Sequence, residues 1–162
     1  MTSRARPARA PGRARLVGIA IAVTTLLAAC GVVSTTPPAP TPADFFGITA
    51  NLERRDVAVD HVTSGDAGCD DPVLRRTAIA FDSSGLDQVT PVRVYVYIFR
   101  NREAFDRLRQ TVDACAASYA TDPEAFASVE ASPYVVTSAG PWAPRFQAAM
   151  RAAIQEAAGT GG

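Results

Sequence analysis

"VRVYVYIFR", residues 92–100, is the stretch on which the fold of this chain turns. Its apolar residues recur with a period of two, the repeat of a pleated strand. Val92, Val94, Val96 and Ile98 fall on one face, while Arg93, Tyr95, Tyr97 and Phe99 fall on the other. The valine face has to be buried beneath helices. The opposite face is aromatic but carries a charge and two hydroxyls, so it is expected to be partly wet. Tyrosine and arginine are enriched at the energetic centres of interfaces. Arg93, Tyr95 and Tyr97 are therefore a candidate binding face if no helix covers them, and ordinary packing if one does.

Upstream, "RRTAIAFD" (75–82) reads as a second strand, joined to the first by the turn "SSGLDQVTP" (83–91). "VAVDHV" (57–62) is short and β-branched, a third strand, and "TSGDAGCDDP" (63–72) is a loop. "TPAD" (41–44) starts a helix: Thr41 caps, Pro42 suits the first helical position, and Asp44 stands where a capping-box acid reaches back. Phe45, Ile48 and Leu52 give that helix one apolar face, and it should end near "ERRD" (53–56).

Downstream, "NREAFDRLRQTVDACAASYA" (101–120) has the best helical period, with Phe105, Leu108, Val112, Cys115 and Tyr119 in a stripe and Asn101 as cap. "SVEASPYVVTS" (128–138) holds one strand or two short ones around Pro133. "PWAPRFQAAMRAAIQEAAG" (141–159) is a closing helix that begins at Pro144, buries Phe146, Met150 and Ile154, and stops at Gly159. The order is α-β-β-β-α-β-α. Strands joined by short turns pair antiparallel, so an α+β two-layer sandwich is expected, mostly antiparallel, with helices on one face.

Charge divides the chain. Residues 1–15 hold five arginines and no acid, whereas from Cys30 onward 11 arginines meet 16 acidic residues, a net charge of −5. A domain of that sign lacks the positive charge that displaces counterions from phosphates, which argues against nucleic acid as a partner.

The arginine-rich start leads into 14 uncharged residues, "LVGIAIAVTTLLAA" (16–29). A membrane-spanning helix needs about 20 apolar residues, so this run is too short to span and fits the apolar core of a secretory signal. "LAAC", Leu27-Ala28-Ala29-Cys30, follows and resembles the lipobox of bacterial lipoprotein precursors. The resemblance covers the first 30 residues only. It implies diacylglycerol transfer to the Cys30 sulfur, cleavage after Ala29, and acylation of the new amino terminus, for instance with palmitate. Membrane lipid, held through acylated Cys30, is then the first partner, and the protein sits on the cell membrane outside the cytoplasm. "GVVSTTPPAPTPA" (31–43) is proline-rich and uncharged, an extended spacer on the order of 30–40 Å long at about 3.1 Å per residue. The expected organisation is signal peptide 1–29, lipidated cysteine and tether 30–41, a single α+β domain 42–159, and a tail 160–162.

With Cys30 assigned to lipid, Cys69 and Cys115 remain as an even pair in an exported, oxidising setting, and a disulfide between them is expected. Two free buried thiols are the alternative. His61, the one histidine, lies in "VDHVTSGD" beside Ser64 and Asp66. Those are the residue types of a catalytic triad, but strand neighbours alternate faces and no GxSxG elbow occurs. Asp66, Asp70 and Asp71 sit beside glycines without EF-hand spacing, and a solvated acidic turn is the default. No phosphate-cradling GxxxxGK or dinucleotide GxGxxG is present, so no cofactor or metal is expected. The arginines Arg100, Arg102, Arg107 and Arg109 are interleaved with Glu103 and Asp106, as on a salt-bridged helix surface.

These features point first to a membrane-anchored, non-enzymatic binding or interaction domain with an envelope protein as possible partner. The alternatives are a small exported hydrolase using His61 and loop acids, and an accessory factor of an envelope enzyme or transporter.

Overall fold

The computed structural model describes residues 45–122 and 126–159. Helix α1 (Phe46–Glu53) leads into β1 (Val57–Ser64). After a loop and a short 3₁₀ turn (Leu74–Arg76) come β2 (Ala78–Gly85) and β3 (Gln88–Ile98). Helix α2 (Arg102–Tyr119), strands β4 (Ala127–Ala131) and β5 (Tyr134–Ser138), and helix α3 (Pro144–Ala157) complete the domain. The five strands form one sheet in the order β1-β2-β3-β5-β4, and every neighbouring pair is antiparallel. The fold is α+β with an antiparallel sheet. The segment around Pro133 forms two strands, joined at Ser132–Pro133 through a cis peptide bond.

Register explains the core. Ile79, Val96, Val136 and Val129 lie side by side across four strands, and with Phe81 and Val94 they form an apolar surface. Helices α1 and α3 cover it with Phe45, Ile48, Leu52, Phe146, Met150 and Ile154. The Asn51 side-chain amide donates to the Ala153 carbonyl at 3.2 Å, and Glu156 of α3 pairs with Arg54 and Arg55 at 2.8 and 2.6 Å, which locks α1 to α3.

The expected placement of helices on one face needs correction. A second core lies on the opposite face, where Ala78, Tyr97 and Val135 meet Phe105, Val112 and Cys115 of α2. The sheet is covered on both sides, with α1 and α3 on one and α2 on the other. The cause is visible in β2: Ala78, Ile79, Ala80 and Phe81 are all buried, an uninterrupted apolar run that serves both faces.

Boundaries shift for local reasons. Arg75 and Arg76 belong to the 3₁₀ turn, not to β2, because the Asp71 carboxylate accepts from the Val73 and Leu74 N–H groups and starts a turn there. The broad turn expected over 83–91 contracts to Leu86–Asp87, since both strands run on. Gly85 permits this: φ is +135°, and a Cβ would lie 2.2 Å from the Asp56 carbonyl oxygen. Asn101 caps α2, accepting from the Ala104 N–H at 2.8 Å, and Pro144 opens α3, both as expected. Thr41, Pro42 and Asp44, the expected start of α1, lie outside the described residues, as do Cys30 and the tether.

Candidate functional site

The loop between β1 and the 3₁₀ turn carries most of the chemistry the sequence singled out. Cys69 in this loop and Cys115 of α2 form a disulfide, with Cα atoms 5.6 Å apart across 46 positions of sequence. Next to it, Gly68 packs directly on two rings. Its φ is +76°, and a Cβ there would come within 2.7 Å of Tyr119 and 2.9 Å of Tyr95. Ala67 is buried beneath, and its carbonyl accepts from the Tyr97 hydroxyl at 2.8 Å.

Tyr97 therefore does not belong to a binding face. It is 0 % exposed, covered by α2, with its hydroxyl 3.3 Å from that of Tyr119, which in turn is hydrogen-bonded to the Thr137 hydroxyl. Burial, reinforced by the neighbouring Tyr119, pushes the Tyr97 phenol above its ordinary value, so it is protonated at neutral pH. Tyr95, two residues back and on the same face, is only partly covered. Its ring lies 4.6 Å from that of Tyr119, and its flank is open.

Arg93, two residues before Tyr95 on the same strand face, is partly buried. Its guanidinium pairs with Asp66 at 2.9 Å and Asp82 at 3.3 Å, and donates to the His61 carbonyl at 3.0 Å. Partial burial alone would lower its pKa, but the two carboxylates outweigh that and raise it. The arginine thus holds three segments together, which makes it first a structural cross-link.

His61 occupies a bulge in β1, where the register with β2 breaks between Asp60 and Thr63 and the His61 φ is +50°. The side chain is 81 % exposed, and Nδ1 lies 3.0 Å from the Asp82 carboxylate. Its acidic neighbour is a strand residue. Asp66, the loop acid expected beside it, is engaged by Arg93 and by the Gly68 N–H. Asp71 is engaged by the 3₁₀ turn, and among the described residues no group of three or more His, Cys, Asp or Glu side chains is arranged to hold a metal ion.

These elements bound an open groove of about 650 Å³, whose wall runs from Thr63 to Asp70 with Arg75 and Tyr95 beside it. Asp70 and Arg75 approach each other at its rim at 3.7 Å. Cys69 lines the groove, whereas His61 and Arg93 stand outside it. On α2, Arg102 and Arg107 pair with Asp106 and Glu103, each at 3.6 Å, and Arg109 pairs with Asp113 and Glu130, the salt-bridged surface expected there.

Sequence reading found Cys69, Cys115, Arg93 and Tyr95, and the fold gathers all four around one loop. It missed Gly68, Tyr119 and Asp82 as their partners. A signal for Tyr119 existed: it follows Cys115 by four positions on the same helical stripe, so any loop tied to Cys115 has to pass it. Comparison with protein families, with curated proteins and with solved structures found no match. No helix among the described residues is long and apolar enough to cross a membrane.

Proposed function

We propose that the chain is an exported lipoprotein, anchored in the cell membrane outside the cytoplasm through acylated Cys30, and that its folded domain is a non-enzymatic binding module. The sequence order of arginines, apolar run, "LAAC" and proline-rich spacer supports the anchor. The observation that supports binding is the groove beside the stapled loop. It offers an aromatic flank from Tyr95, a cation from Arg75 and a carboxylate from Asp70, on walls held in place by a disulfide and by Arg93. A pre-formed concavity with a few fixed polar groups is the ordinary form of a binding site. An envelope protein is the partner class that fits a tethered domain.

A photo-crosslinking residue at position 95, introduced into the full chain in intact cells, should capture one envelope protein reproducibly. Arg75→Glu should reduce that capture. Indiscriminate labelling, or capture untouched by the charge reversal, overturns the assignment of the groove. A second reading, a small hydrolase, draws on the His61–Asp82 pair, which has the base-orienting geometry of a catalytic dyad. It requires that His61→Ala abolish an envelope activity while leaving the fold intact. The accessory-factor reading differs from the first only in the identity of the captured protein.

A further inference from the structure

We propose that the Cys69–Cys115 bond is a redox latch, opened by a dithiol that attacks Cys69 from the groove, and that opening frees one wall of the groove without unfolding the domain.

The two sulfurs differ in access. Cys69 is half-buried and lines the groove, whereas Cys115 is 5 % exposed and lies in the second core. Thiol–disulfide exchange requires the attacking thiolate to approach one sulfur in line with the bond that breaks. Here the bond runs from the groove into the core. Cys69 packs partly against the second core but is approached from the groove that it lines, and attack at Cys115 would have to come through packed side chains.

The chemistry closes without further reagents. A dithiol thiolate bonds to Cys69 Sγ, the sulfur–sulfur bond breaks, and its electron pair leaves on Cys115 Sγ. The second thiol of the reagent then displaces Cys69, so the dithiol is oxidised to a disulfide while the protein's pair is reduced by two electrons. Its two protons end on the two cysteines. The Tyr97 hydroxyl lies 3.6 Å from Cys115 Sγ and, by turning its one proton from the Ala67 carbonyl, can donate to the charge that develops there. Burial keeps that phenol protonated, as a donor must be.

The loop has other anchors on either side of the latch. Ala67 is buried under the Tyr97 hydroxyl and Asp66 is held by Arg93, while on the far side Asp71 caps the 3₁₀ turn and Leu74 is buried. Only Gly68 to Asp70 depend on the disulfide. Both cores and the sheet register remain when it opens. The latch goes beyond the binding assignment and holds even if the groove binds nothing.

Two measurements on the oxidised full chain test it. Reduced glutathione, a monothiol that forms the mixed disulfide, is added without denaturant, and the adduct is mapped by mass spectrometry after acid quenching. The adduct should form on Cys69, in wild type and in Tyr97→Phe alike. An adduct on Cys115, or none until denaturant is added, overturns the proposal. Hydrogen exchange is then followed before and after dithiothreitol. Exchange should rise severalfold at residues 68–70 while β2 and β3 keep their protection. Loss of protection throughout the sheet, or no change in the loop, refutes the latch.

Discussion

Gly68 packs on Tyr119 and Tyr95, Tyr97 bonds the carbonyl of neighbouring Ala67, and each is there for a reason that a single substitution exposes. Gly68 carries a positive φ and has no room for a methyl group against the Tyr119 ring. Gly68→Ala should therefore push the loop off the tyrosines and destabilise the domain by about 1–3 kcal/mol, the usual cost of overpacking, read as a lower midpoint in urea. Tyr97→Phe keeps the ring and removes the donor to the buried Ala67 carbonyl. An unpaired buried acceptor costs about 1–3 kcal/mol, so this variant should lose stability by that much in the same measurement, with no change in the disulfide. A variant as stable as wild type would mean that the hydroxyl bond contributes nothing. His61 and Arg93 show the limit of reading residues singly. Both were legible as polar groups of interest, but their partners come from other segments: Asp82 is placed by strand register and Asp66 by the course of the loop.

At the scale of elements, two ties join parts of the domain that are distant in sequence and can be tested separately. The disulfide ties the β1–β2 loop to α2. In the chain-entropy model a closed loop of this length is worth about 4 kcal/mol, an upper figure for what replacing both Cys69 and Cys115 by serine should cost, measured by chemical denaturation. Domains commonly have about 5–15 kcal/mol to lose, so the double variant should still fold. The second tie is Asp87, in the β2–β3 turn, whose carboxylate accepts from the Arg145 and Phe146 N–H groups and caps α3 from a distance. Desolvation would raise the Asp87 pKa, but the two N–H bonds and nearby Arg145 outweigh it and hold the group below its ordinary value. Glu156 is lowered in the same direction, first by its bond to Arg55. A carboxylate with a depressed folded-state pKa contributes stability that is full above its unfolded pKa and is lost as the pH falls through the folded one. Asp87→Asn should melt below wild type at neutral pH. The gap should hold down to about pH 4 and close as the pH drops further. A gap that persists in acid would refute the charged cap. The first tie was legible, since an even pair of cysteines stood one in a loop and one on a helix; the second was not, because "SSGLDQVTP" announces a turn and nothing in it says which helix the turn will meet.

For the whole molecule, the anchor and the fold are separate matters. If Cys30 is acylated, Cys30→Ala should move the protein from the membrane fraction to the soluble one with its melting temperature unchanged, as judged by fractionation and by thermal melting of the purified protein. Retention in the membrane fraction as firm as wild type would refute the anchor. The strands and helices were legible because their signals are local. Alternating valines mark β3, Asn101 and Pro144 mark helix starts, and the even pair of remaining cysteines pointed to the disulfide. The sequence by itself determined the element types, the α+β class, the cysteine pair and the expectation of an anchor, because periodicity, capping and a contiguous motif are properties of neighbouring residues. Only the tertiary structure decided that α2 covers the tyrosine face, that Tyr97 is core while Tyr95 borders a groove, and that Arg93 is a cross-link. Those outcomes depend on which strands pair and in what register, and register places residues beside one another that lie 11 to 46 positions apart in the chain.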